Sequence, residues 1–192
     1  MKVKITHLLL LAVMNTAALT LFAQGKPGQK KILETFLDAQ NKPLYPVARV
    51  YTPTGYWVFD GALVTGTQKL DIRPKAPRLL AAGSSGSASG FISTDYDVKG
   101  LQKIRVGFIG YKADNGPFAV EVLVSTDKGK TWKSLGSKAG DSSKEEETIA
   151  DFTLNAPAKN DSYRVKIVNA SEPKSNRLNR INITEVQLIY GE

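Results

Sequence analysis

The chain has 192 residues, a formal net charge of +8, no cysteine and one histidine. That histidine, His7, lies in a segment that we expect to be removed, so the working protein would contain neither residue type. This composition excludes disulfide scaffolds, thiolate catalysis, Ser-His-Asp triads and the common zinc sites, all of which need cysteine or histidine.

The amino terminus has the pattern of a secretory signal peptide. Lys2 and Lys4 precede an apolar stretch, and Ala23 is a small residue where cleavage is expected. The stretch is shorter than the ~20 residues of a membrane-spanning helix, which favours a signal peptide over an anchor. We therefore predict a signal peptide over 1–23 and a single domain over 24–192. Because the leader removes two lysines and no acid, the mature net charge would be +6.

This leader also indicates the compartment. A disulfide-free exported protein is ordinary in a Gram-negative bacterium. We expect a secreted, periplasmic or cell-surface protein with no membrane span after cleavage.

Beyond the leader, apolar and polar residues alternate with a period of two. The runs 104–108, 118–124 and 163–167 are examples, and they are rich in β-branched and aromatic residues. Short strands separated by turn residues predict an all-β sandwich or barrel of about ten strands. The candidate segments, some of which we expect to merge or fail, are 30–37, 45–51, 56–64, 68–73, 78–82, 90–94, 101–111, 117–126, 130–135, 146–154, 162–169 and 181–190.

The first candidate strand contains a glutamate between apolar residues. Glu34 lies two residues from both Ile32 and Phe36, and residues two apart on a strand share a face, so all three would lie on the same side. The pattern favours the opposite arrangement, in which Leu33 and Leu37 face the core and Glu34 faces solvent.

The last candidate strand changes phase. Ile181 and Ile183 are apolar at odd positions, whereas Val186 and Leu188 are apolar at even positions. A β-bulge near 184–185 would place both sets on one face.

Residues 125–132 match the Asp-box pattern S-x-D-x-G-x-T-W. In such a turn Asp127 caps backbone amides, Gly129 supplies a positive φ and Trp132 covers the hairpin. The motif repeats in propellers, and a single copy predicts a well-formed hairpin rather than an active site.

The order of motifs resembles that of secreted bacterial jelly-roll domains of the galactose-binding-like type, which include carbohydrate-binding modules. The resemblance covers about residues 30–190. The segments that carry it are Glu34-Thr35-Phe36, the Trp-containing strand 57–61, strand 118–125 with its hairpin, Tyr163-Arg164-Val165-Lys166-Ile167, and 180–186. It implies an antiparallel β-sandwich of jelly-roll topology and a non-catalytic binding role.

The resemblance also raises the question of calcium, which commonly joins the first and last strands of carbohydrate-binding relatives. Glu34 and Glu185 are the matching positions, with Thr35 and Thr184 as departures from the family pattern. One carboxylate from each strand is sparse for an ion that takes about six to eight oxygens. We therefore predict no metal and no cofactor.

The leading function is non-catalytic binding of carbohydrate at or outside the cell surface. The positive charge makes an acidic polysaccharide or a negatively charged surface the more natural partner. Lysines and arginines that alternate with apolar residues are typical of a solvated face and do not predict nucleic-acid binding. Two alternatives stay open, an adhesion or structural module that binds a surface protein and a glycoside hydrolase. A hydrolase would need two facing carboxylates, for which the candidates are Asp60, Asp95, Asp97, Glu121 and Asp127.

The predicted ligand-binding residues are Tyr56, Trp57, Arg73 and Arg78, with no catalytic residue. Because Tyr56 and Trp57 are adjacent, one faces the core and the other faces outward. An outward aromatic beside arginines could stack against a sugar ring. The pattern favours Trp57 as the core residue and Tyr56 as the rim residue.

Overall fold

The computed structural model describes residues 28–83, 88–114, 116–140, 146–155, 160–172 and 179–191. The predicted signal peptide, 1–23, lies outside them. Among the described residues there is no helix, and hence none that could cross a membrane. The strands are β1 (Gln29–Glu34), β2 (Ala48–Thr52), β3 (Gly55–Asp60), β4 (Ala62–Leu63), β5 (Arg78–Leu79), β6 (Phe91–Thr94), β7 (Val98–Lys99), β8 (Leu101–Gly110), β9 (Ala119–Ser125), β10 (Lys133–Ala139), β11 (Thr148–Thr153), β12 (Ser162–Asn169) and β13 (Ile181–Gly191).

The strands form two antiparallel sheets that pack face to face. The six-stranded sheet has the order β11-β8-β13-β5-β4, and β1 pairs with the end of β13. The seven-stranded sheet has the order β10-β9-β12-β6-β3-β2, and β7 pairs with the start of β12. The predicted all-β jelly-roll sandwich is confirmed.

Most predicted segments coincide with a strand, and the exceptions have local causes. The segment 56–64 divides into β3 and β4 at Gly61, whose φ of 55° interrupts an extended backbone. The prediction of a strand over 68–73 is wrong. That segment turns back on itself, and the amide of Asp71 donates to the carbonyl of Gln68. No predicted segment covers β7, because a strand of two residues is too short to show an alternating pattern.

The core lies between the sheets and takes alternate side chains from the long strands. Burying such a side chain contributes roughly 1.5–3 kcal/mol to the stability of the fold. The largest completely buried side chains are Trp57, Phe36, Phe59, Phe108, Leu79, Ile92, Leu101, Ile104, Ile167, Ile181, Ile183 and Leu188.

The predicted bulge in the last strand is confirmed. Ile183 pairs with Phe108 and Glu185 pairs with Gly107, so Thr184 is the extra residue of β13. The insertion reverses the phase of the strand, and the apolar residues on both sides of it point into the core.

The predicted orientation of β1 is wrong. Glu34 is 3% exposed and faces the core, whereas Leu33 and Leu37 are 43% and 52% exposed. A carboxylate is buried at low cost only when hydrogen bonds satisfy its oxygens, and two of the three donors to Glu34 come from the turn between β2 and β3.

Three donors satisfy the Glu34 carboxylate. The backbone amide of Phe36 donates to Oε1 at 2.5 Å, and the hydroxyls of Thr52 and Thr54 both donate to Oε2. The first bond supports the left-handed backbone of Phe36, whose φ is 60°. The ring of Phe36 then packs edge-on against Trp57, with centroids 5.3 Å apart.

We expect Glu34→Ala to lower the free energy of unfolding by about 2 kcal/mol, because the amide of Phe36 loses its acceptor and the hydroxyls of Thr52 and Thr54 lose a charged one. Glu34→Gln keeps the size and one carbonyl acceptor and should cost less. Urea unfolding followed by tryptophan fluorescence measures both. Asp38→Ala, at an exposed position of the same segment, is the matched control. Equal stabilities of the Glu34→Ala and Asp38→Ala variants would contradict the prediction.

Burial beside Glu34 and Trp57 raises the pKa of Tyr96 to about 12. Since the folded pKa exceeds the ordinary value of about 10, this tyrosine stabilises the fold fully below pH 10. The contribution is lost as the pH rises from about 10 to about 12. A titration at 295 nm should show a late tyrosine step near pH 12 that is lost in Tyr96→Phe. A wild-type titration curve without that late step would contradict the prediction.

Candidate functional site

The structure does not bring the four predicted ligand-binding residues together on one surface. Tyr56 is 41% exposed, Trp57 and Arg78 are buried, and Arg73 is half-buried. The side chains of Trp57, Arg78 and Arg73 each make contacts within the protein that account for their positions.

Trp57 is a core residue, as the alternating pattern favoured. It follows the outward Tyr56 on β3 and makes edge-on ring contacts with Phe36 and Tyr96, at 5.3 and 6.2 Å between centroids. With no exposed surface, Trp57 cannot stack against a ligand, which corrects its assignment to the site.

Arg78 belongs to a buried ionic cluster and is also removed from the site. Its Nη1 lies 3.7 Å from Oδ1 of Asp71, and its guanidinium lies 4.5 Å from the ring centroid of Tyr111. The guanidinium of Arg180 also stacks on Tyr111, at 4.3 Å, and pairs with Asp114 at 2.8 Å. The two arginines therefore stabilise this end of the sandwich through the ring that they share.

Arg73 joins the first and last strands. Its Nη2 donates to the carbonyl of Thr35 at 2.9 Å and to the carbonyl of Thr184. Burial lowers the pKa of Arg73, and the nearby carboxylates of Glu147 and Glu185 oppose that shift. This guanidinium is therefore committed to the backbone and is not free for a ligand.

The same contacts bear on the calcium that the resemblance implies. Glu34 pairs with Val186 and faces the core, whereas Glu185 lies on the outward side of β13 opposite Gly107. The two carboxylates point to opposite faces of the sheet. Since Arg73 also uses the neighbouring carbonyls, these residues do not fit a calcium site.

The seven-stranded sheet presents a different constellation to solvent. We define the open face as its outward side residues, which alternate with buried core residues along β2, β3, β6, β12 and β9. They are Arg49, Tyr51, Tyr56, Val58, Asp60, Phe91, Asp95, Arg164, Lys166, Val168, Glu121 and Leu123, with Asp97 and Trp132 adjoining them.

Two exposed tyrosines lie at one end of the open face. Tyr51 and Tyr56 are directly opposite each other on β2 and β3, and their rings meet edge-on at 5.5 Å. The guanidinium of Arg49 lies 3.8 Å from the Tyr56 ring centroid. This cation–π contact and the ring pair hold two large apolar surfaces in place before any ligand arrives.

A chain of ion pairs continues from the tyrosines across the sheet. Arg49 Nε lies 2.6 Å from Oδ2 of Asp95, and Arg164 Nη1 lies 2.7 Å from Oδ1. Arg164 also pairs with Asp97 at 2.8 Å. Such charge-assisted bonds fix the direction of the remaining donors on both arginines.

Lys166 and two aromatic rings form the far end of the open face. The Lys166 ammonium lies 4.5 Å from the ring centroid of Phe91 and 4.2 Å from that of Trp132. Burial lowers the pKa of Lys166, and the charge of Asp60 opposes the shift.

The position of Trp132 depends on the hairpin that connects β9 and β10. Oδ1 of Asp127 accepts the amide of Thr131 at 2.9 Å, and Oδ2 accepts its hydroxyl at 2.6 Å. These bonds hold the pKa of the Asp127 carboxyl well below its usual range. Gly129 has a φ of 87°, and Ser125 Oγ accepts its amide at 2.8 Å. The motif thus acts as the structural turn that its residues predicted.

The open face combines the two elements that recognise hydroxylated rings. Aromatic faces take the apolar side of a ring, and planar charged groups bond its hydroxyls. From Tyr51 to Trp132 there are five strand spacings, or about 24 Å. A ligand of several linked rings could therefore contact both ends.

Sequence reasoning missed most of this site, although one signal was available. In Tyr51-Thr52-Pro53-Thr54-Gly55-Tyr56, the pairing of Thr52 with Gly55 leaves a two-residue loop and places the tyrosines opposite each other. The ion pairs of Asp95 gave no such signal, because Arg49 and Arg164 approach it from distant parts of the chain.

No protein-family model matches the chain, and no curated protein matches it. Among solved structures, the K2 cleaved adhesin domain of Lys-gingipain is similar over 83% of this chain and 99% of its own, with a TM-score of 0.53 and 14% identity. A family 29 carbohydrate-binding module (85% and 87% covered, TM-score 0.41, 10% identity) also matches. Isomalto-dextranase from Arthrobacter globiformis T6 in complex with panose matches over 84% of this chain and 23% of its own, with a TM-score of 0.45 and 15% identity. At 14% identity, the similarity to the adhesin domain supports the fold and not a function. The TM-scores of the other two structures are below 0.5, so we base no conclusion on them.

We expect Arg73→Met to lower the free energy of unfolding by about 2 kcal/mol, because the carbonyls of Thr35 and Thr184 lose a charged donor. Methionine retains most of the apolar stem. Urea unfolding provides the measurement, and Lys69→Met at an exposed position nearby is the control. Indistinguishable midpoints for the two variants would show that Arg73 does not join the strands energetically.

Proposed function

We propose that the protein is an exported, non-catalytic binding module that binds a polysaccharide across its open face, in the periplasm or at the surface of a Gram-negative cell. The observation that carries this proposal is the exposed tyrosine pair, Tyr51 and Tyr56, held by Arg49 and continued by the ion pairs of Asp95.

The arrangement supports binding of an extended, hydroxyl-rich ligand. Tyrosines offer large contact area at low cost in side-chain entropy. Both arginines are already oriented, so a ligand would not have to immobilise them. Of the predicted binding residues, Tyr56 is retained in the proposed site, and Arg49, Tyr51, Asp95 and Arg164 are added.

The contacts of the acidic residues disfavour a glycoside hydrolase. Both oxygens of Asp95 are bound by arginines, Asp97 pairs with Arg164, and Asp127 is used by its hairpin. A general acid needs a free carboxyl group and a partner across the scissile bond, and these three carboxylates are instead engaged by arginines or by the hairpin.

A second candidate function is binding to another protein. Leu44 and Val47 are 69% and 64% exposed and precede β2, the strand that ends the sheet order. An edge strand beside exposed apolar side chains can pair with a partner chain. The fold shared with a domain named an adhesin is compatible with this candidate.

Binding to a panel of glucans, mannans, xylans and polygalacturonate, by affinity electrophoresis and then calorimetry, tests the proposal. We expect Tyr51→Ala and Tyr56→Ala each to weaken binding about fivefold, or about 1 kcal/mol, because each removes one stacking surface. The double variant should weaken it further.

Ile149→Ala is the control, since Ile149 is an exposed apolar residue of the six-stranded sheet. Its affinity should equal that of the wild type. A polysaccharide that binds the wild type and the double tyrosine variant equally well would refute the proposed site. A panel without any binding would favour the protein-binding candidate.

A further inference from the structure

A cleft of about 380 Å³ opens at one edge of the sandwich. It lies between the two sheets, where the start of β10 and the end of β11 diverge, and it is separate from the tyrosine end of the open face. Its volume is at the lower end of the roughly 300–1,000 Å³ of small-molecule sites.

The floor of the cleft is apolar and already ordered. Val124, Leu154 and Tyr163 are 6–8% exposed, and they line the cleft together with half-buried Leu135. The hydroxyl of Tyr163 donates to Oδ2 of Asp161 at 3.2 Å, which fixes the ring. A ligand therefore meets a preformed hydrophobic surface.

The rim of the cleft is polar. Thr126, Thr131, Ser134 and Thr153 line the opening, and Trp132 lies beside them. The Thr131 hydroxyl is committed to Asp127 as a donor and keeps its acceptor capacity. An apolar floor below a ring of hydroxyls is complementary to a pyranose, which has an apolar face and a hydroxylated edge.

One charged side chain adds selectivity. Lys133 is the single charged side chain among the described residues that line the cleft, and the adjacent carboxylates of Asp127 and Asp161 are engaged by Thr131 and Tyr163. An ammonium at the rim favours a ligand that bears one negative charge over its neutral counterpart.

We propose that this cleft is a second binding site, which takes a single hexuronate ring, with Lys133 facing the sugar carboxylate and Trp132 and Tyr163 flanking the ring. The site binds a monosaccharide or a chain end, and it shares Trp132 but neither tyrosine with the open face.

The two tryptophans make this testable by NMR, because their indole N–H signals are resolved from the backbone and Trp57 is buried away from the cleft. Sodium glucuronate and sodium galacturonate are titrated into ¹⁵N-labelled protein, with glucose and galactose as neutral counterparts. The Trp132 signal, assigned from Trp132→Phe, should shift and the Trp57 signal should not. At low salt, the uronates should bind at least about threefold more tightly than the neutral sugars.

Two variants and a control locate the site. Lys133→Gln should remove the preference for uronates, whereas Lys138→Gln on the same strand should keep it. Thr153→Tyr, at an exposed rim position, should block binding of every sugar without affecting the core.

The double variant Tyr51→Ala/Tyr56→Ala should respond to glucuronate as the wild type does, which separates this site from the tyrosine end of the open face. Equal affinity for uronates and neutral sugars, no shift of the Trp132 signal, or full binding by Thr153→Tyr would each overturn the inference.

Discussion

The buried carboxylate of Glu34 is the constraint on which the other features of the sandwich depend. It ties the end of β1 to the turn between β2 and β3, because it accepts the hydroxyls of Thr52 and Thr54 as well as the amide of Phe36. The same turn sets the pairing that places two tyrosines opposite each other on the outer side of the sheet. A buried carboxylate thus holds the turn from which both exposed tyrosines project.

Regular strand periodicity made much of the fold predictable. The phase change in the last strand could be interpreted from the chain alone, since Ile181, Ile183, Val186 and Leu188 must share a face and only an extra residue allows it. The orientation of β1 could not be obtained in this way. A glutamate between apolar residues faces solvent unless donors from distant segments meet it, and nothing in the local pattern reveals those donors.

The candidate site was less predictable than the fold, for a related reason. Tyr56 was found because an outward aromatic on a strand is visible in the pattern of alternation. The sequence predicts Arg73 and Arg78 as ligand-binding cations, but one is bound to backbone carbonyls and the other is buried beside Asp71. Charge counted along the chain does not distinguish a solvated arginine from one that serves the interior. The difference depends on partners more than 100 residues away in the case of Thr184.

The contacts of Arg73 have a further consequence. A positive charge that joins two strand ends can come from a bound metal ion or from a side chain. Here it is a guanidinium that bonds the carbonyls of Thr35 and Thr184. A covalently attached cation cannot be diluted, chelated or exchanged. The joint between the first and last strands should therefore not require any ion from the surrounding medium.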